Sequence, residues 1–263
     1  MIVEFFSINN EWDLLQLHLQ EHSEFVDRFV ITEGNHNYQQ QPKPYRWHEK
    51  EKYWAPWRDK ISYRQFDSTG LAEGWPVEQS QRKFGFEDLQ CPEDTIFVIS
   101  DVDEIMRSKD WPKCEMIRDS KKREILFKTE CYYCFANLRL KKRQQAIAVT
   151  TKSKFIDATL HRRPHHELKQ MPHTMLLEGG LHFTWFGDKE IFEEKVMASI
   201  EGHSYIQDRR IHDLWEDKSK GKLFHYKKKL STTKFEKVAI DTNDSFSESI
   251  KNFIKERPDW ILF

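Results

Sequence analysis

Two aspartates separated by one residue, Asp101 and Asp103, have the type and spacing that metal-dependent chemistry requires. They follow residues 95–100 (TIFVIS), whose β-branched and aromatic composition predicts a buried strand. Carboxylates at the end of such a strand can reach one ligand together, and their oxygens suit Mn²⁺ or Mg²⁺, which in turn binds a diphosphate. The alternative is an acidic turn that only caps the next segment. Glu104, a third acid, favours the metal site.

The elements that must position these aspartates alternate between strand and helix over the first hundred residues. The spacing of apolar residues predicts strands over residues 2–8, 25–32, 61–66 and 95–100, and helices over 12–22 and 76–89. This alternation predicts an α/β fold with a doubly wound sheet. Open sheets of this class bind ligands at the carboxyl ends of their strands. Glu33 and Asn35, at the end of the second strand, are therefore candidates for contact with a nucleotide or with sugar hydroxyls.

The second part of the chain has a different pattern. Residues 123–150 predict longer, antiparallel strands, which would make the central sheet mixed. A further strand is predicted over residues 181–186, and helices over 152–160, 189–200 and 245–255. The sequence has no internal repeat and no long linker. We therefore expect one domain over residues 1–263, with a nucleotide-binding part (1–105) and a part that completes the metal and acceptor sites (106–263).

The composition excludes some classes of function. The 263 residues include 42 Lys+Arg and 43 Asp+Glu, so the formal net charge is −1 and no general attraction to nucleic acid or anionic membranes is expected. Aromatic residues make up 14% of the chain, which argues against a disordered protein. Basic clusters near aromatic residues keep an RNA-binding module as a distant alternative, or favour anionic acceptors or peripheral membrane contact. These clusters are residues 121–123, 141–143, 162–163 and 227–229.

The cysteines and the N-terminal residues indicate which cellular compartment to expect. Cys131 and Cys134 form a C-x-x-C pair that the histidines 161, 165 and 166 could complete as a zinc site. The more ordinary interpretation is that both cysteines are small buried residues of a strand. The first fifteen residues have neither a basic region nor a small-residue cleavage site, and no apolar run is long enough to span a membrane. We therefore expect a cytoplasmic protein.

Two classes of enzyme place a D-x-D pair after an apolar strand. In haloacid-dehalogenase-like phosphatases the first aspartate is the nucleophile, a role that would fall to Asp101. However, Ile105 occupies the fourth position after it, and the pair lies about a hundred residues into the chain. Residues 186–188 (FGD) imitate that class's later motif only weakly. Nucleotide-sugar transferases of the GT-A type place the pair at about this depth, so they are the favoured class.

Further motifs carry a resemblance to a known family. They occur in order at residues 10–15 (NEWDLL), 26–31, 33–35 (EGN), 43–44, 81–82, 99–105 (ISDVDEI) and 180–183 (GLHF). Over most of its length the chain resembles glycosyltransferase family 17, the family of β-1,4-mannosyl-glycoprotein N-acetylglucosaminyltransferases. The resemblance implies a GT-A-like, Rossmann-related fold. It also implies inverting transfer of a sugar, such as N-acetylglucosamine, from a UDP-linked donor to a glycan hydroxyl. Leu181 stands where the family has tryptophan, which leaves the acceptor open.

The resemblance also implies roles for individual residues around the D-x-D pair. Asp103 would bind the metal ion, Asp101 the metal ion or the ribose, and His182 would complete the metal site. A neutral imidazole is an ordinary ligand of Mn²⁺.

Other residues are candidates from their chemistry and position. Gln81 and Arg82 could face the nucleotide, since the guanidinium group matches the geometry of phosphate. Lys195 could neutralise the leaving diphosphate. An inverting transfer also needs a carboxylate to accept the proton of the acceptor hydroxyl, and Glu178 and Asp208 are candidates by location only.

Overall fold

The structure is a computed structural model that describes residues 1–161, 173–198, 224–225, 228–229 and 235–262. Its strands are β1 (Ile2–Ile8), β2 (Arg28–Gly34), β3 (Ile61–Phe66), β4 (Ile96–Ile99), β5 (Glu104–Ile105), β6 (Glu124–Tyr133), β7 (Leu138–Leu140), β8 (Gln144–Thr151), β9 (Thr174–Thr184), β10 (Phe224–His225), β11 (Lys228–Lys229) and β12 (Phe235–Lys237). Its α-helices are α1 (Trp12–His22), α2 (Trp75–Phe84), α3 (Met116–Asp119), α4 (Ala158–His161), α5 (Lys189–Ala198) and α6 (Glu248–Lys255). Short 3₁₀ helices cover Trp47–Tyr53, Ala55–Lys60, Ser108–Lys113, Lys152–Lys154 and Pro258–Trp260.

The first half of the central sheet is parallel. Its strand order is β4-β1-β2-β3, and the pairs β1–β4, β1–β2 and β2–β3 are all parallel. The segments that connect parallel strands cross over the sheet, and here they include α1 and α2. All four strands therefore end at the same edge, where the loops after β1, β2 and β4 meet.

The second half of the sheet is largely antiparallel and continues directly from the first. β8 pairs antiparallel with β4 and with β6, and the order then runs through β7 to β12. β9 lies on the other side of β6, parallel to it, and also pairs antiparallel with the two-residue strand β5. Ten strands thus share one mixed sheet, which confirms the predicted α/β class and mixed central sheet.

Most predicted elements are confirmed, but several have different ends, β2 and α2 among them. β2 begins at Arg28 rather than residue 25, because the amides of Phe25 and Val26 both donate to the His22 carbonyl and close the end of α1. α2 ends at Phe84 rather than residue 89. The Phe86 ring beyond it stacks on Phe5 of the sheet at a centroid distance of 3.6 Å, so this segment packs beneath the sheet instead of continuing the helix.

Two predictions in the second half were wrong. β9 runs from residue 174 to 184, not 181 to 186, and it includes Gly179 and Gly180. Gly180 has φ +75° at the register shift between β6 and β9, a conformation that glycine adopts without strain. The helix predicted over residues 152–160 is instead a 3₁₀ turn followed by the four-residue α4.

The C-x-x-C pair lies in the interior of the protein. Cys131 and Cys134 are 0% and 5% exposed and are free thiols, as expected for small buried side chains. His161 contacts the Glu124 carboxylate, while His165 and His166 lie outside the described residues.

Leu181 is fully buried in a second core cluster with Phe183. No helix among the described residues has the length and apolar content needed to cross a membrane.

Candidate functional site

The acidic loop that follows β4 is held in a tight turn. The Glu104 amide donates to the Asp101 carbonyl at 2.9 Å, and the Asp101 amide donates to Glu104 Oε2 at 2.9 Å. Arg82 of α2 donates through Nη2 to Asp101 Oδ1 at 2.6 Å and also pairs with Glu78 at 2.7 Å. The structure therefore brings together two residues, Arg82 and Asp101, that the sequence placed in one site.

Asp103 meets two further predicted residues. Its Oδ2 atom accepts a hydrogen bond from Lys195 Nζ of α5 at 2.9 Å, and its Oδ1 atom lies 3.6 Å from His182 Nε2 of β9. This meeting follows from the sheet, because His182 pairs with Glu104 in the β5–β9 ladder and the Phe183 amide donates to the Asp103 carbonyl at 2.8 Å. We call Asp103, His182 and Lys195 the cleft cluster. His182 lies on β9 between β5 and β6.

The cleft cluster is charged and mostly buried. Burial raises the pKa of Asp103, but the Lys195 ammonium and the His182 ring more than offset this effect and hold that pKa well below its usual range. Burial lowers the pKa of Lys195 and of His182, yet the Asp103 carboxylate outweighs burial and raises both. Asp103 is therefore an anion and Lys195 a cation at neutral pH.

Lys195 connects this cluster to an open cleft of about 440 Å³ at the carboxyl ends of β1 and β2. Lys195 Nζ also lies 3.5 Å from Glu11 Oε1, and Glu11 Oε2 accepts from the amides of Asn9 and Asn10. Gly34 borders the cleft, where an added Cβ would lie 3.1 Å from the His36 carbonyl oxygen. The polar side chains that line the cleft are Asn9, Glu11, His36, Asn37, Tyr38, Lys43, Gln81 and Lys195.

Behind the acidic loop lies a second charged group, Glu4 of β1 with His18 and His22 of α1, which we call the rear cluster. All three side chains are 0% exposed. Glu4 accepts from Ser100 Oγ at 2.9 Å, His18 Nδ1 donates to the Val102 carbonyl at 3.1 Å, and the Met106 amide donates to His22 Nε2 at 2.7 Å. The rear cluster thus holds the chain before, within and after the Asp101–Asp103 pair.

The ligand atoms of the rear cluster lie within 4.8 Å of one another, a spacing that could hold a metal ion. Its hydrogen bonds favour a proton network instead. His22 Nε2 accepts the Met106 N–H, so the ring proton is on Nδ1, which donates to Glu4 Oε2 at 2.8 Å. A metal ion on Nδ1 would move that proton to Nε2, where it would face another N–H.

Glu33 and Asn35 stabilise loops in this structure. Glu33 is fully buried, where it accepts from the amides of Arg46 and Trp47 and from the Tyr63 hydroxyl. Asn35 Oδ1 accepts from the Ser68 amide, and its Nδ2 donates to a carboxylate in the same loop. Neither side chain lines the cleft, so their predicted contact with the donor gains no support from their placement.

Gln81 does line the cleft. Its Nε2 donates to the Thr32 carbonyl at 3.0 Å, which fixes the side chain at the end of β2. Gln81 and Arg82 therefore act on neighbouring parts of the site, Gln81 at the cleft and Arg82 at the acidic loop.

Of the two candidates for the catalytic base, the structure describes only Glu178, and it does not join the site. Glu178 is 70% exposed, and its carboxylate lies 3.8 Å from Arg143 Nε. Asp208 lies outside the described residues. The identity of the base stays a prediction from location.

The acidic loop carries the donor types that a divalent cation takes, but the described set of three ligand atoms within 4.8 Å of one another is the rear cluster, not Asp101, Asp103 and His182. Asp101 and Asp103 supply the carboxylate oxygens that Mn²⁺ and Mg²⁺ prefer, and His182 supplies an imidazole. Asp103 uses Oδ2 for Lys195, which leaves Oδ1 directed at His182. The His182 Nδ1 atom is buried and has no hydrogen-bond partner among the described residues.

The comparisons with known sequences agree with this geometry. Residues 2–119 match glycosyltransferase family 17. The matched segment includes β1, α1, the Arg82 helix and the whole acidic loop, and the resemblance predicted from the sequence is confirmed there. The match supports the glycosyltransferase class of enzyme and favours neither the phosphatase nor the RNA-binding alternative.

The curated relatives include β-1,4-mannosyl-glycoprotein 4-β-N-acetylglucosaminyltransferases. The rat enzyme is 29% and the human enzyme 28% identical over 114 residues, which is 40% of this chain. The aligned part spans about a fifth (21%) of the length of either relative.

Solved structures with a likeness to this chain include two at 11% sequence identity. One is 4-diphosphocytidyl-2C-methyl-D-erythritol synthase from Anaerococcus prevotii, with a TM-score of 0.45 over 79% of this chain and 96% of that chain. The other is a mannosyltransferase from Pyrobaculum calidifontis in complex with GDP-Man and Mn²⁺, with a TM-score of 0.40 over 80% and 64% of the two chains.

Sequence reasoning missed the rear cluster and Lys43. The signal for the rear cluster was available, because Glu4 interrupts an apolar strand and His18 and His22 are four residues apart on a leucine-rich helix. Buried polar residues of this kind need partners. The only sequence signal for Lys43 was its place in the motif at residues 43–44.

Proposed function

We propose that this protein is a glycosyltransferase that moves a sugar from a nucleotide-sugar donor, most simply a UDP-sugar, to a hydroxyl of a glycan. The supporting observation is the acidic loop within the family 17 match, where Asp103 meets Lys195 and His182 beside a cleft. N-acetylglucosamine is the sugar suggested by the names of the curated relatives. Inversion at the anomeric carbon is proposed from the same resemblance.

In this proposal Asp101, Asp103 and His182 hold Mn²⁺ or Mg²⁺, which supplies charge stabilisation to the departing diphosphate. Lys195 places an ammonium between the acidic loop and the cleft, where it would contact the phosphate oxygens. Arg82 orients the Asp101 carboxylate and counters its charge. Fixed charges of this kind favour departure of the diphosphate without a proton donor.

The first experiment measures nucleotide release from UDP-N-acetylglucosamine, UDP-glucose, UDP-galactose and GDP-mannose with Mn²⁺, with and without a mixture of glycan acceptors. We expect release from at least one UDP-sugar, loss of release in EDTA, and loss in Asp101→Asn. Asp119→Asn, which changes an exposed aspartate, is the matched control. Hydrolysis of a simple phosphate ester that depends on Asp101, with no release from any nucleotide sugar, would overturn the proposal.

A further inference from the structure

The cleft contains a second lysine that the proposed function does not use. Lys43 lies in the loop after β2, and its side chain is 13% exposed. Two backbone contacts fix this loop over the cleft. The Lys43 amide donates to the Asn35 carbonyl at 2.9 Å, and residues His36 and Pro42 form an isolated β-bridge. The backbone from which the Lys43 side chain extends is therefore fixed beside the cleft.

The Lys43 ammonium is poorly compensated. Its Nζ atom is buried and makes no hydrogen bond among the described residues, where its one ion pair is with Glu33 Oε1 at 3.5 Å. Glu33 is already occupied by the Arg46 amide at 2.8 Å and the Tyr63 hydroxyl at 2.6 Å. An ammonium has three donors, and burying it without acceptors costs free energy.

We propose that Lys43 is a phosphate-binding residue that, together with Lys195, receives the diphosphate of a nucleoside diphosphate donor in the cleft. This inference rests on the proposed function. Both lysines line the cleft, and both interact electrostatically with the Glu11 carboxylate, which is 3.5 Å from Lys195 Nζ. An anion in the cleft would supply the acceptors that the Lys43 ammonium lacks.

A phosphate is the ligand group that fits the buried Lys43 ammonium best. The ammonium offers only donors, so it suits a group made only of acceptors. It is a compact point charge, and hydrogen bonds between charged groups are about twice as strong as neutral ones. A nucleoside or a neutral sugar has no comparable negative charge to place beside it.

The test is calorimetric titration of UDP, UMP and uridine into the wild-type protein, Lys43→Met and Lys43→Arg, all with Mn²⁺. We expect Lys43→Met to bind UDP about tenfold more weakly, the loss of one charged hydrogen bond, while its affinity for uridine is unchanged. Lys43→Arg should recover part of the affinity for UDP. Lys83→Met, which changes an exposed lysine of α2, should bind UDP like the wild type.

A purely structural role for Lys43 gives a different pattern. Lys43→Met would then lower the melting temperature, and the variant would bind UDP as the wild type does, which would overturn the inference. If Lys43→Met does not fold, Glu33→Gln/Lys43→Met removes both charges of the buried pair and replaces it in the titration. No UDP binding by the wild-type protein would contradict the proposed function itself, and wild-type binding with equal binding by the variants would contradict only this inference.

Discussion

The rear cluster and the cleft cluster are built from similar groups but differ in how far their side chains are exposed. Each combines one buried carboxylate with two basic side chains, and each contacts the acidic loop. In the rear cluster the carboxylate and the His22 ring have partners at every polar atom, and all three side chains are 0% exposed. In the cleft cluster His182 and Lys195 are 19% and 17% exposed, and His182 Nδ1 has no described partner.

This difference separates two tasks. A buried carboxylate with saturated hydrogen bonds can fix a loop but cannot exchange its partners for a ligand. A partly exposed cluster can exchange partners, as binding of a metal ion and a diphosphate requires. We infer that the rear cluster positions Asp101 and Asp103, and that the cleft cluster binds.

The largest expected effect is on stability, from Glu4→Gln. Removing one member of a fully buried charged network leaves its partners unsatisfied, so the free energy of unfolding should fall by about 3 kcal/mol or more. Urea denaturation measures it, with the exposed Glu24→Gln as control. A loss no greater than that of the control would mean that the rear cluster does not hold the loop.

A smaller effect is expected on binding, from Lys195→Met. The variant loses the ammonium between Asp103 and Glu11, so its affinity for UDP with Mn²⁺ should fall about tenfold, the value of one charged contact. Lys189→Met, on the exposed side of the same helix, provides the control in the same titration. If the two variants bind UDP equally well, the cleft cluster is not a binding site for the diphosphate.

The smallest expected effect is a pH dependence that belongs to the rear cluster. Burial lowers the pKa of His22 below its ordinary value of 6.5, with Glu4 opposing the shift. The unfolded chain therefore binds a proton below about pH 6.5 that the folded protein does not, and stability falls with falling pH, by at most about 1.4 kcal/mol per pH unit. Between pH 7 and pH 5, the free energy of unfolding should change less with pH in His22→Gln than in the wild-type protein. An unchanged pH dependence would show that His22 takes up a proton without unfolding.

Sequence reasoning predicted the part of the molecule that local pattern determines. β1 and α1 begin and end where the apolar spacing placed them, and the acidic loop follows its strand as expected. The meeting of Asp103 with His182 was available only through family resemblance, whereas Lys195 was a candidate from its chemistry and position alone. That meeting depends on the pairing of β5 with β9, and these strands are far apart in the chain.

The parts that sequence reasoning missed depend on long-range contacts. Glu4 and Ser100 are 96 residues apart, and no local pattern announces their hydrogen bond. Glu33 follows a strand, at a position typical of ligand-binding residues. However, the segment that begins at Arg46 covers it, and the amides of Arg46 and Trp47 donate to its carboxylate oxygens. The start of β9 was misplaced, and Gly179 and Gly180 accommodate a register shift inside that strand.

The most direct test of the account is calorimetric titration of UDP into the wild-type protein and into Asp103→Asn, each with Mn²⁺ and then with EDTA. The account predicts saturable binding by the wild type that needs the metal ion. Asp103→Asn should fold normally and show no metal-dependent binding. Metal-dependent binding of equal strength in the folded Asp103→Asn variant would contradict the assignment of the cleft cluster as the binding site.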